Sequence, residues 1–322
     1  MTPLPQWHRK PVPNGGTLGA QVGLSAVQAK LPRRSLWLDW VPLLLLPGVA
    51  IVFRNWLPAW VFMWLLSGAV FLGCKWLTLR RVATVHPLRA NLAYFFAWPG
   101  MEADAFLAGA ANERPRSGQW VRAGLVTVVG GVFFWLAIHM SPGDNLYFKG
   151  WLGMVGVVMT LHFGLFHLMA LSWQAVGRDA KPLMRAPLLA VSLADFWGRR
   201  WNTAFNALAY GLVFRKLARP CGAAWATLAV FLVSGMVHDA VISLPARGGY
   251  GLPTGYFLLQ GVGVLFERSE TGRAVGLGNG WRGRAFAWLM AAVPAFWLFH
   301  PPFILNVIIP MLDTFTAVGK VL

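Results

Sequence analysis

With 322 residues, 57% of them hydrophobic and only 12% charged, the chain lies far from the composition of a soluble globular protein. Its net charge of +17 raises nucleic acid as a partner, but the basic residues are scattered through connections between apolar runs and leave no soluble basic domain to bind it. Two cysteines, Cys74 and Cys221, make neither a disulfide framework nor a zinc spacing and read as small hydrophobes. What remains is a polytopic membrane protein, and the eighteen tryptophans fit, because Trp collects at membrane interfaces.

Residues 1–35 are basic and rich in Pro and Gly, with no early apolar core of a cleavable signal peptide; they read as a cytoplasmic N-terminal tail. Residues 36–322 read as a single integral-membrane domain. Its first two apolar runs, 36–53 and 56–74, are each near the ~20 residues a crossing needs and are parted by little more than Arg54 and Asn55. Asp39, near the start of the first, can still reach the headgroups. The next loop, with Lys75, Arg80, Arg81 and Arg89, is then cytoplasmic by the positive-inside rule.

Residues 90–98 are too short for a span and end in Trp98-Pro99-Gly100. They predict a re-entrant or interfacial helix; beyond the turn, a surface helix from Glu102 and a contact with substrate are the alternatives. A polar loop at 112–117 carries Arg114 and Arg116. Spans three and four occupy 123–140 and 151–173, joined by a turn-forming stretch at 141–145 placed outside. His139, His162 and His167 lie in or at the ends of these spans. The five-residue step from His162 to His167 is not the i, i+4 spacing of a metal pair, which favours interhelical hydrogen bonding or a wet cavity wall.

Residues 177–186, with Arg178, Lys181 and Arg185, are again basic and cytoplasmic. No proline interrupts 188–219, so a helix is permitted throughout. A second basic cluster stands at Arg215, Lys216 and Arg219, so this stretch is expected to dip in and return, or to lie at the cytoplasmic interface. Residues 223–244 span outward, 252–266 return, 267–284 form a basic loop, 285–300 go out to Pro301-Pro302, and 303–318 return or lie at the interface. The expected fold is all-α, with about seven or eight spans plus re-entrant or interfacial helices around an internal tunnel.

Two stretches carry chemistry. As an α-helix, 192–206 places Asp195, Arg199, Asn202 and Asn206 at i, i+4, i+7 and i+11, one polar face in an apolar chain. Charge in or near hydrocarbon costs ~2.5–3.5 kcal/mol per residue or more, so such a stripe marks use. The second stretch is Ser234-Gly-Met-Val-His238-Asp239, whose His and Asp are the only ionisable residues of 223–244. Together, F-W-G-R-R-W-N at 196–202 and S-G-M-V-H-D at 234–239 resemble the membrane-bound O-acyltransferase superfamily, in particular its wax-synthase-like branch. The W-P-G-M-E segment at 98–102 is similar to one in that branch. The likeness is firmest over 182–239 and thins toward both ends.

The resemblance implies acyl transfer from acyl-CoA, as cosubstrate, to an alcohol or lipid acceptor in the membrane, with no cofactor. A neutral imidazole is a suitable general base, contributing ~10²–10⁴-fold, and the resemblance makes His238 the catalytic histidine; a satisfied core histidine is the alternative. Asn202 matches the polar residue beside it, with an amide able to hold a thioester carbonyl or oxyanion; a cap or interhelical bond is the alternative. Arg199 and Arg200 suit coenzyme A phosphates. Because i and i+1 diverge on a helix, only Arg199 shares the Asn202 face, and Arg200 would be solvated. Asp239 points ~100° from His238 and would pair with Arg199 or Arg200, or help bind acceptor. Asp195, Trp201, Asn206 and Ser234 complete the candidate substrate-binding set, although Trp197 and Trp201 read as packing or interface anchors ahead of substrate platforms.

No metal constellation, phosphate-cradling P-loop or G-x-S-x-G is present, so neither a metal nor a covalent acyl-enzyme is indicated. The competing reading is a transporter or channel, with His238, Asp239 and the Arg199 stripe lining its pathway.

Overall fold

The structure, a computed structural model, describes residues 36–109, 114–141 and 145–319. The basic tail, Asn112 of the polar loop, and 142–144 of the turn between spans three and four lie outside the described residues. The described chain is helical, with no strand.

In order, the helices are α1 Leu36–Val52, α2 Ala59–Leu79, α3 Leu88–Ala97, α4 Ala103–Ala108, α5 Ser117–His139, α6 Leu146–Val158, α7 Phe166–Ala175, α8 Leu193–Asp195 and α9 Thr203–Ala209. After them come α10 Arg215–Ala246, α11 Leu252–Arg268, α12 Glu270–Ala274, α13 Gly280–Ala292, α14 Ala295–Leu298, α15 Pro301–Phe303 and α16 Ile309–Gly319. Wider π turns at Met159–Leu165, Phe196–Arg200, Tyr210–Phe214 and Ile304–Ile308 join several of them.

Among the described residues, five helical stretches are long and apolar enough to cross a bilayer: Trp37–Asn55, Ala59–Leu79, Ser117–His139, Leu146–Ala175 and Thr203–Ala246. Gly280–Leu298 and Pro301–Ala317 form a pair bent by 61° at their break, which makes six if the pair is one span. This is fewer than the seven or eight expected. α11 is only 17 residues long, and the last two legs bend where a hairpin would double back. Straight, Thr203–Ala246 would be roughly 66 Å long, twice the hydrocarbon core. It is instead two helices meeting at Gly222, whose backbone (φ 82°, ψ 161°) is open to glycine and closed to other residues.

Small residues set the closest helix approach. A β-carbon at Gly130 of α5 would lie 2.6 Å from the Thr160 nitrogen, and one at Gly156 of α6 2.6 Å from that of Phe134, as in membrane interfaces where backbones touch.

Two charged residues sit otherwise than their positions suggest. Lys75 is not in a loop. Nothing breaks α2 before Arg80, so Lys75 falls in the helix and is fully buried. Its Nζ donates to the carbonyls of Trp98 (2.9 Å) and Gly100 (2.7 Å) and lies 3.2 Å from the centre of the Tyr94 ring. Asp39 does not reach for headgroups: it is buried and paired with Arg80 at 2.9 Å, clamping α1 to α2. The Trp98–Gly100 turn is drawn inward by the lysine, and Ala103, Phe106 and Leu107 bury the apolar side of α4, so that helix is docked on the body and not spread on the surface.

Candidate active site

The F-W-G-R-R-W-N stretch is anchored from its own N-terminus and from a distant helix. Ser192 caps α8, its Oγ accepting from Asp195 N at 3.1 Å. Glu267, buried at the end of α11, accepts from Leu193 N (2.5 Å) and Ala194 N (3.3 Å). The first-turn N–H groups are thereby satisfied, and a carboxylate sits where the helix dipole favours it.

The chain then widens. Trp201 N returns to Phe196 O at 2.9 Å, closing a π turn over 196–200. In such a turn residue i meets i+5. Asp195 consequently takes both arginines: Arg199 Nε on Oδ1 at 2.9 Å and Arg200 Nε on Oδ2 at 2.5 Å. Burial opposes ionisation of Asp195, but the Arg200 hydrogen bond, the Val191 N–H and the two guanidinium charges outweigh it and hold its carboxyl below the usual range. The roles of the arginines also differ from an α-helical reading. Arg200 is the tucked one, 26% exposed and bonded to the Arg185 and Ala186 carbonyls, whereas Arg199 is 76% exposed.

The uninterrupted helix expected over this stretch is broken. Trp201 is extended and Asn202 is left-handed (φ 42°, ψ 60°), a conformation Asn tolerates better than most residues. The four-residue polar face therefore does not form as one stripe. Asn202 Oδ1 accepts from Phe205 N at 3.4 Å and caps α9, while its Nδ2 points to no partner within the described chain. Asn206 Nδ2 reaches back across the break to the Gly198 carbonyl. Beside it runs the irregular stretch at 183–186: Arg185 N bonds to Arg200 O (2.8 Å) and Thr203 N to Leu183 O (3.0 Å). Trp201 stacks on Phe196 at 5.4 Å and meets Phe163 and Trp197 edge-on. Next to Thr203 and Ala204, a cleft lined by Trp98, Gly100, Met101 and Glu102 has room for about one water.

His238 lies on α10. Its Nδ1 is 2.7 Å from the Ser234 carbonyl, an acceptor only, so Nδ1 carries the proton and Nε2 presents a lone pair. Ser234 thus acts through its backbone. The imidazole packs on Phe257 of α11 (4.3 Å between centroids) and is itself exposed, not covered over by neighbouring side chains. Rings connect the two motifs: Phe257 is 5.5 Å from Trp197, and Trp197 is 6.3 Å from Trp201. The Trp197 indole donates to Gln260 Oε1 at 3.2 Å, and Gln260, fully buried, donates to Met290 O at 2.6 Å.

Asp239 does not pair with Arg199 or Arg200, which Asp195 occupies. Its Oδ2 accepts from Gly251 N (2.7 Å) and Thr254 Oγ1 (2.9 Å), fastening α10 to the start of α11. One turn on, Ser243 Oγ lies 3.2 Å from His300 Nε2, both fully buried. His300 Nδ1 accepts from Phe303 N at 3.2 Å, so Nε2–H donates to the serine. An imidazole in that tautomer cannot deprotonate the hydroxyl, and the pair is a lock between helices. Among the described residues no three of His, Cys, Asp and Glu come together as a metal site would require.

Gln260 and Glu267 do not stand out in the sequence, where Glu267 falls into a basic loop. Their signal is the face of α11: Pro253, Tyr256, Phe257, Gln260, Val264 and Glu267 recur with helical period and are all buried.

Residues 180–259, which hold both motifs, match the Membrane bound O-acyl transferase family. The chain is also similar to long-chain-alcohol O-fatty-acyltransferases. It is 33% identical over 173 residues to a long-chain-alcohol O-fatty-acyltransferase of Simmondsia chinensis (48% of this chain, 47% of the relative). It is 32% identical over 148 residues to the probable long-chain-alcohol O-fatty-acyltransferase 7 of Arabidopsis thaliana (41% and 42%). An acyl-CoA–sterol O-acyltransferase 1 of Arabidopsis thaliana is 28% identical over 190 residues (51% and 53%). The chain matches about half the length, or less, of each of these relatives.

Proposed function

We propose that the protein is a membrane O-acyltransferase that moves an acyl group from acyl-CoA to the hydroxyl of a long-chain alcohol or related lipid. The observation that carries the reading is the 2.7 Å contact between His238 Nδ1 and the Ser234 carbonyl, from which the tautomer follows. With Nδ1–H spent on the Ser234 carbonyl, Nε2 is free to accept the proton of an incoming hydroxyl. The alcohol oxygen then attacks the thioester carbon, negative charge collects on the carbonyl oxygen, and as that carbonyl re-forms the thiolate of coenzyme A leaves and takes up the proton from Nε2. Asn202 Nδ2 donates to the developing oxyanion, and the exposed Arg199 guanidinium offers its free nitrogens to the coenzyme phosphates. The basic cluster of Arg178, Lys181, Arg185, Arg199 and Arg200 supports a cytoplasmic mouth for the donor.

The test is turnover. Purified protein given radiolabelled acyl-CoA with one long-chain alcohol and one sterol should form ester, and His238→Ala should abolish it without loss of fold. Flux of a solute across proteoliposomes with no ester would instead select the transporter reading.

A further inference from the structure

At the far end of α2 from the site, roughly 24 Å along the helix from Lys75, lies a cavity of about 490 Å³. Three candidate spans end around it: Trp37–Asn55 finishes, Ala59–Leu79 begins and Thr203–Ala246 finishes there. It is therefore at the level where hydrocarbon gives way to headgroups. Its floor is apolar, with Leu57, Phe62 and Leu244; its rim carries Arg54, Arg247, Asn55 and Tyr250. No carboxylate lines it.

Arg247 is held there against local preference. It occupies the left-handed cap of α10 (φ 52°), a place that favours glycine, although Gly248 and Gly249 come directly after it. Asn55 steadies it, accepting from Nη2 at 3.2 Å, and Arg54 stands on the same rim in no ion pair with any described carboxylate. Backbone strain, two guanidinium groups without a counter-ion and a greasy floor are found at one spot.

We propose that this cavity binds an anionic phospholipid, its phosphate diester between Arg54 and Arg247 and the start of an acyl chain over Phe62 and Leu244. Forked guanidinium donors match phosphate oxygens, and basic pockets between spans take lipid headgroups. The proposal is independent of acyl transfer, because binding is read without acyl-CoA.

Detergent-solubilised full-length protein should be titrated by thermophoresis with dioctanoyl phosphatidylglycerol, dioctanoyl phosphatidylcholine and inorganic phosphate. The anionic lipid is expected to bind about tenfold or more tighter than the zwitterionic one. Arg54→Gln combined with Arg247→Gly should remove that preference. Glycine relieves the left-handed backbone, so the double variant should melt no lower than the parent, which a purely structural role for Arg247 would not allow. Equal binding of phosphatidylcholine, unchanged binding by the double variant, or saturation by inorganic phosphate at the same concentration as lipid would each overturn the proposal.

Discussion

Asp195 and Arg200 are five residues apart and joined at 2.5 Å, while the other oxygen of the same carboxylate holds Arg199 at 2.9 Å. The π turn over 196–200 brings this about, since in it residue i meets i+5 while i+4 remains nearby. One buried carboxylate thus fixes the base of two cations and leaves the Arg199 end free.

Removing that carboxylate should loosen both arginines. Asp195→Ala is expected to lower stability by about 1–3 kcal/mol, discounted for the exposure of Arg199, read as a drop in Tm, and to raise the KM for acyl-CoA more than it lowers kcat. Because the Asp195 carboxyl is held below its ordinary value, its contribution is full at neutral pH and fades as pH falls below about 4. Asp195→Asn should therefore show a shallower loss of Tm on acidification than the parent.

At His238, replacement by Gln keeps a polar side chain but no basic nitrogen. Ester formation should fall ~10²–10⁴-fold with thermal stability nearly unchanged. A fall of under tenfold would remove the imidazole from the chemistry.

Asn202 combines a backbone task and a donor task, and two substitutions separate them. Asn202→Gly accepts the left-handed backbone, whereas Asn202→Ala does not and should be less stable by about 1 kcal/mol. If Nδ2 supports the oxyanion, both should lose kcat by a similar factor, of order 10²–10³. Activity that tracks stability between the two would show a purely structural asparagine.

Glu267 touches none of the proposed reacting atoms, yet caps α8 from another helix. Glu267→Ala should cost about 1–2 kcal/mol, while Glu267→Gln, which keeps an acceptor oxygen, should recover most of it. Circular dichroism melts in detergent would resolve the pair.

Lys75→Met preserves the apolar stem and deletes the donor. It leaves the Trp98 and Gly100 carbonyls unmatched in a buried place, and a loss of about 1–3 kcal/mol in stability is expected, together with faster proteolysis near the Trp98 turn.

Hydropathy alone marks the first five crossings, because twenty apolar residues in sequence have few other solutions. Both motifs are legible too, since an Arg-Arg pair or a His-Asp pair amid hydrophobic residues is conspicuous. The break at Asn202 is also written there, as Asn is a strong N-cap, but the absence of proline favours an unbroken helix. The π turn is not legible: its stability comes from partners elsewhere, Glu267 and Gln260 among them. Asp239 looks like a partner for arginine because sequence shows charge and not distance; the nearer donors are the Gly251 amide and Thr254.

The two halves of the motif rest on different foundations. Trp197 and the start of α8 are moored to α11 through Gln260 and Glu267, whereas Asn202 and Thr203 are moored to 183–184. Across the gap between these moorings, the Asn206 amide grips the Gly198 carbonyl like a tie-rod. A change in the angle of α11 would therefore be taken up at the backbone between Trp201 and Asn202, so the position of Asn202 relative to Trp197 is set by how two helical supports are held and not by the stiffness of one rod.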